Sequence, residues 1–472
     1  MAHYDTIIIG AGMSGLAAGI RLAYYEKRVC ILERHTMPGG LNSFYRLDGR
    51  DFDVGLHAMT NYVSKDVRGA PLNKLLRQRR LKHEDFQLCP QRQSDVRFPG
   101  VTLSFTNDFA VFEADVCAKF PRQADAFRKL VAHIMAFNEL DLYAKPLSAR
   151  AVLKEFLSDA LLTDMLLCPL MYYGSANVGD MEFGQFVIMF KSIFREGFAR
   201  PRVGVRQIVA TLLKKYKACK GELRMGRGVK RLVVGEGRVS SVELDDGEVL
   251  TADTILSSAG SAETERMCSD VTTPAQIAST DAKAGQMTFM ESISVLDREP
   301  ETIGYTGTIT FFNNSERFDY RPAEDFADAR SGVICCPNNF LYDTPLKEGI
   351  VRVTSIANYA KWTSLPQDEY LAKKREWYER CVAEAVKFVP DFRPYVKYID
   401  TFTPRTIEKF TRHLNGAVYG APEKWKDGRT RLSNLFICGT DQGFLGIIGA
   451  MLSGISMANL HVLQRSAKGG DA

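Results

Sequence analysis

The chain of 472 residues lacks most of the features by which a sequence declares its chemistry. No run of about 18 uninterrupted apolar residues occurs, so no membrane-spanning helix is expected. Charge of one sign is not in excess either: 61 basic against 56 acidic residues leave +5, too little to point to nucleic acid. The ten cysteines (30, 89, 117, 168, 219, 268, 335, 336, 381 and 438) show no regular spacing and no CxxC pair, which argues against a disulfide framework and for reduced thiols in the cytosol. HExxH, a nucleophile elbow and any convincing metal-ligand cluster are missing, and the seven histidines (3, 35, 57, 83, 133, 413 and 461) are scattered. Hydrolytic and metal-assisted chemistry therefore have no visible carrier. The first strand begins within a few residues of Met1, which leaves no room for a targeting segment, and a cytoplasmic protein is expected.

What is present lies at the start. Residues 4–9 (YDTIII) form a short β-branched strand that ends on glycine, as expected of a buried parallel strand covered by helices on both faces. Gly10, Gly12 and Gly15 make GxGxxG, and residues 16–25 continue with helix-forming side chains. In that setting the first glycine permits the tight turn, the second lets backbone approach a pyrophosphate, and the third lets helix pack on strand. The helix N-terminus then offers unpaired N–H groups to the phosphates. Residues 29–32 form the next strand, closed by Glu33, a carboxylate placed to accept from ribose hydroxyls. The pattern specifies a dinucleotide but not which one. Gly39 and Gly40 follow the acid, and an adjacent glycine pair lets the chain run beside an extended cofactor, which favours FAD over NAD alone.

The motifs IIIGAGMSGLAAGIRL, ERHTMPGGLNS and FDVGLH, with NLFICGTDQGFLGIIGAMLSGISMAN near the end, resemble the flavin-dependent phytoene desaturase, carotenoid isomerase and retinol saturase family within the amine-oxidase-like flavoproteins. The likeness covers the cofactor-binding portions well and the middle loosely. Many members of the family carry Arg just after the glycine pair, where this chain has Leu41 and Asn42. The resemblance implies an α/β fold: a Rossmann-type FAD lobe of parallel sheet and β-meander (residues 1–70, 203–262 and 415–472), and a second α+β substrate lobe built from two insertions (71–202 and 263–414). It implies that FAD is held by Gly10, Gly12, Met13, Ser14 and Gly15, by Glu33 and Arg34, and by Gly39, Gly40, Leu41, Asn42 and Ser43. Val229 of the meander would lie against adenine, Asp441 would accept from ribityl hydroxyls, and Gly439, Gly446, Ile447 and Ile448 would face the flavin. A helix N-terminus there would stabilise charge on the reduced ring by up to about 2 kcal/mol.

The rest of the chain is read from its pattern. Residues 75–82 (LLRQRRLK) form a basic helix-compatible stretch, either a solvated face or a dock for an anionic headgroup or an acidic carrier protein. Residues 160–202 are the greasiest part, and Arg195, Arg200 and Arg202 follow their aromatics; this is a core helix or one lying in a membrane surface. Residues 229–234, 239–244 and the strand after the DDG turn read as a β-meander. Residues 286–295, 302–312, 332–336 and 349–356 are strand-like and suggest a sheet, and 367–388 reads as an exposed amphipathic cover helix.

The expected function is an FAD-dependent oxidoreductase that desaturates, saturates or isomerises carbon–carbon double bonds in a long apolar chain by hydride exchange at flavin N5. A polyene of isoprenoid type is the substrate class implied, with a fatty-acyl chain on a carrier protein as the rival. An amine-oxidase-like flavoenzyme and a non-catalytic FAD-fold escort are the other readings. His57 is the candidate for proton transfer or flavin tuning, against a structural histidine. Tyr172, Tyr173 and Phe194 are candidates for the substrate channel, against aromatic core packing. No metal is expected, nor nucleic acid; contact with the inner face of a membrane is open.

Overall fold

In the computed structural model the described residues are 1–464 apart from 68, 140, 142–144 and 269–271. The opening strand, Ala2–Ile9, sits at the centre of a sheet. It pairs in parallel with Val29–Glu33 on one side and Val249–Ser257 on the other. Glu222–Met225 and Leu435–Ile437 extend the parallel part at its two ends. The start of Val249–Ser257 also pairs antiparallel with Arg238–Leu244, which pairs with Val229–Gly235, so the meander and the parallel sheet share one long strand.

The expectation of helices on both faces of the first strand needs correction. Ile8 packs with the helices Met13–Tyr24, Val205–Ala218 and Gly446–Ala458 on one face. Tyr4, Ile7 and Ile9 pack with Val229, Leu232, Val239 and Leu244 of the meander on the other. Both coverings exclude water equally, and so the strand is apolar throughout either way. Gly446–Leu463 is long and apolar enough to cross a bilayer by length and composition, contrary to the sequence expectation. Its buried residues, among them Met451 and Ile455, belong to the core that contains Leu16 and Ile20.

A second seven-stranded sheet runs in the order Val396–Phe402, Phe289–Leu296, Gly349–Ile356, Ser331–Cys335, Ile309–Asn313, Ser94–Phe98 and Val101–Phe105. All its pairings are antiparallel except that between Ile309–Asn313 and Ser94–Phe98. Residues 302–308, read from sequence as strand, form instead a short 3-10 turn at Pro300–Ile303 and irregular chain. Each sheet collects segments from distant parts of the sequence.

One face of this sheet is covered by Phe109–Lys119, Ala124–Ala136, Ala160–Gly174 and Phe183–Phe190 through an aromatic-rich core. The other face carries Gln367–Ala385, whose Tyr370, Trp377, Tyr378, Cys381 and Val382 are buried, so this cover helix is a packed layer with one solvated side. Two basic stretches also differ from expectation. Arg79 is buried just past the helix Pro71–Gln78, and Arg200 is buried beside Asp53, so neither guanidinium belongs to a headgroup- or carrier-facing surface. Arg195 lies over the Phe109 ring, and Arg202 donates to the carbonyls of Thr344 and Pro345.

Candidate active site

The three glycines of the opening motif meet three different steric demands. Gly10 has φ +97°, a conformation that disfavours any side chain. A Cβ on Gly15 would fall 2.0 Å from the Gly10 carbonyl oxygen, where helix crosses strand. A Cβ on Gly12 would meet nothing within 4 Å, so its bareness serves no packing need of the protein. It caps the N-terminus of Met13–Tyr24 and, being glycine, has no side chain to bond the free N–H groups there. These are the conditions for a phosphate cradle.

Around that cradle the chain closes by backbone contacts. Gly39 N–H donates to the Ala11 carbonyl at 2.9 Å. Gly40, at φ +59°, passes so near that its Cβ would lie 3.5 Å from the Gly12 Cα. Glu33 accepts from Ala11 N at 2.7 Å and from His35 N at 2.8 Å, which fixes its carboxylate at the end of its strand. Ser43 Oγ is buried with no partner in the protein among the described residues, a polar atom that a bound cofactor would satisfy. The donor set and the uncapped helix thus fit a dinucleotide.

One cavity joins this cradle to the second sheet. Gly12, Met13, Ser14, Gly39, Gly40, Leu41 and Asn42 line one end, with Gly439, Gly446 and Ile447 from the C-terminal return. His57, Tyr172, Tyr173, Met189, Phe289, Val333, Val418 and Tyr419 line the other. Tyr172 donates to Ser331 Oγ at 3.2 Å, and the Tyr419 hydroxyl donates to the Tyr172 carbonyl. The Tyr173 hydroxyl is buried without a partner among the described residues.

Other residues singled out in the sequence lie elsewhere. Phe194 stacks on Phe112 with ring centroids 4.1 Å apart in the aromatic core, away from the cavity wall, which corrects its reading as a channel residue. Asp441 is also off the wall: its carboxylate is taken by Ser261 N at 2.6 Å, Ser261 Oγ at 2.7 Å and Ala421 N at 2.8 Å, so it acts as a joint between segments and not as a free acceptor for ribityl hydroxyls. Ile448 packs into the helical core. Arg34 donates to the Val229 carbonyl at 3.1 Å and to Asp245 at 3.2 Å, tying the end of the second strand to the meander. Cys438 is buried, and burial pushes its thiol up to about 12, as suits a packing residue.

The polar heart of the cavity was not legible as a unit. His57 Nε2 lies 3.1 Å from Glu291 Oε1 and 3.0 Å from Thr354 Oγ1. Arg352 Nε donates to Glu291 Oε1 at 2.5 Å, and its two terminal nitrogens donate to the carbonyls of Leu56 and Val54 at 2.9 and 2.7 Å. Arg200 pairs with Asp53 and donates to the carbonyls of Leu56 and His57. Two buried guanidinium groups thus clamp the segment 53–57, Arg352 from the second sheet and Arg200 from the separate short strand Ala199–Pro201. Burial opposes the ionised form of Glu291, but Arg352 and His57 outweigh it and hold the carboxyl at about 2. Burial pushes His57 below the ordinary imidazole range, with Glu291 pulling the other way. The one signal in sequence was a charge in the middle of each of two apolar strands, FMESISVL and GIVRVTSI.

Residues 8–71 match the NAD(P)-binding Rossmann-like domain family. The prolycopene isomerase of Arabidopsis thaliana chloroplasts is 22% identical over 97% of this chain and 82% of its own length. The lycopene-forming phytoene desaturase of Pseudescherichia vulneris is 28% identical over 54% of this chain and 55% of its own length. The chain is thus similar to proteins named prolycopene isomerase, phytoene desaturase and all-trans-retinol 13,14-reductase. An oxidoreductase structure from Methanosarcina mazei shares this fold, with TM-score 0.68 and 17% identity over 96% of this chain and 99% of its own.

Proposed function

We propose that this protein binds FAD and alters carbon–carbon double bonds in a long apolar chain of polyene type, by desaturation, saturation or isomerisation. The observation that carries the reading is the single cavity in which a bare phosphate cradle, centred on Gly12, opens onto a wall of Tyr172, Tyr173, Phe289, Val333 and Val418. Such a wall suits an apolar ligand. The relatives named for phytoene and prolycopene support the same class.

In this reading Gly12, Ser14, Glu33 and Gly40 hold the dinucleotide portion, and Gly439, Gly446 and Ile447 face the ring. When bound, the flavin supplies hydride exchange at N5. The protein's own work is to orient the substrate along the tyrosine wall, to keep water from it, and to hold or take a proton at His57. Asp441 keeps the flavin-side loop in place through Ser261 and Ala421.

The test is an anaerobic absorbance titration of FAD-loaded protein with phytoene-like polyenes and long acyl thioesters. Bleaching of the oxidised flavin band by a polyene shows desaturation, and reoxidation of pre-reduced flavin shows saturation. Isomerised product over flavin that stays reduced shows isomerisation. Response to acyl thioesters alone moves the substrate class, and silence with every candidate in both flavin states overturns the reading.

A further inference from the structure

We propose that Glu291 is the positioning residue for His57: it holds the imidazole with its proton on Nε2, so that the Nδ1 lone pair is the proton acceptor of the cavity. The inference rests on the cavity being a hydride-transfer site. Its basis is the donor count around one carboxylate. Arg352 has only N–H groups to offer, and Thr354 donates its hydroxyl to Oε2. His57 Nε2 sits 3.1 and 3.3 Å from the two oxygens of the same group, so it too must present an N–H. The neutral ring then carries its lone pair on Nδ1, which bonds no described group.

The surroundings act on His57 from every side. Glu291 and Arg352 come from adjacent strands of the second sheet, Phe289–Leu296 and Gly349–Ile356. Arg200 donates to the His57 carbonyl at 3.0 Å while paired with Asp53, and the Cys335 thiol points at the same carbonyl at 3.8 Å. The Tyr173 ring lies 6.4 Å away. Among the described residues Glu291 is the one carboxylate bonded to the imidazole, and its ionised form favours the protonated ring that proton uptake produces. In the desaturating direction a bound flavin would accept one substrate hydrogen as hydride. The neighbouring C–H would give its proton to Nδ1, and that bond's electron pair would become the new π bond. Saturation runs the same transfers in reverse.

The experiment is histidine-selective 15N NMR of FAD-loaded protein, wild type against Glu291→Gln, with the pH profile of flavin reduction alongside. Wild type is expected to show His57 protonated on Nε2. In Glu291→Gln the His57 titration midpoint is expected to fall by about one pH unit or more, with mixing of the two tautomers and an equal displacement of the kinetic profile. Glu291→Asp is expected to restore part of both. Should Glu291→Gln not fold, the double variant Glu291→Gln/Arg352→Met removes both charges together, and there the tautomer alone is read: mixing of the two tautomers supports the proposal and an unmixed Nε2–H form overturns it. An unchanged tautomer and midpoint overturn the proposal even in a protein that reduces its flavin. A displaced midpoint in a protein that no substrate reduces supports the positioning role and overturns the hydride-transfer reading instead.

Discussion

The two ends of one cavity are built on opposite principles. The cradle end is made of backbone: three glycines, an uncapped helix and a glycine pair, all within residues 10–43. The far end is made of side chains, with His57, Arg200, Glu291 and Arg352 drawn from four separate segments. A site that relies on bare backbone tolerates almost no added atom but carries no charge to balance. A site that relies on ionised side chains must neutralise each one against burial, and two carboxylates accordingly face two arginines. The cradle should therefore fail by steric filling and the polar cluster by unbalanced charge.

The largest expected effect is at the cradle, and it separates two glycines of one motif. Gly12→Leu should leave the thermal unfolding of the FAD-free protein near wild type, because no protein atom opposes its Cβ. FAD affinity should fall by about 100-fold or more, which is about 2.8 kcal/mol or more. Gly15→Val should instead lower stability itself, since the Cβ lands on the Gly10 carbonyl. Flavin titration and thermal denaturation of the two variants check this. A Gly12→Leu protein that still purifies yellow would sink the cradle assignment.

Next in size is the buried pair at Asp53. Arg200→Met leaves the Asp53 carboxylate without its cation in a site 2% exposed. The expected cost is about 3–5 kcal/mol, read from the denaturation midpoint at unchanged slope. The double variant Arg200→Met/Asp53→Asn should recover a good part of it. Asp245→Asn, across an ion pair whose side chains are 46% and 50% exposed, should cost under about 1 kcal/mol. Equal losses at the buried and the surface pair would remove the distinction drawn between neutralised burial and screened contact.

These contrasts also explain which parts were legible in the sequence. The cradle is written in spacing: strand, GxGxxG, helix, strand and Glu33 succeed one another within one supersecondary unit, so local rules reach it. The second sheet was visible as apolar strands, but the register that sets Glu291 opposite Thr354 is a tertiary property. Asp441 shows the reverse failure. Its position after a strand and a glycine suggested a cofactor contact, and only the fold reveals that Ser261 and Ala421, 180 and 20 residues away, occupy its oxygens. Arg79 and Phe194 failed for a related reason: neither a basic run nor an aromatic run specifies which member turns inward.

The smallest effect is a pH dependence in which two histidines of the same cavity act with opposite sign. His57 is held below the ordinary imidazole range by burial, so the unfolded chain binds its proton more readily and stability falls as pH drops below about 6.5. Glu291, at about 2 in the fold, adds a further loss as pH falls from about 4.5 toward 2. His413, 3.5 Å from Glu263, is also opposed by burial, but the carboxylate prevails and raises it. Its contribution is complete below about 6.5 and is lost as pH rises through its higher folded value. The two terms act in adjoining windows, His57 below about 6.5 and His413 above it. His57→Gln should therefore make stability less sensitive to acid below about 6.5, and His413→Gln should remove the loss of stability as pH rises above it. Urea midpoints measured at half-unit intervals resolve the two slopes, and slopes that change in the same direction would show that the carboxylate beside His413 does not prevail over its burial.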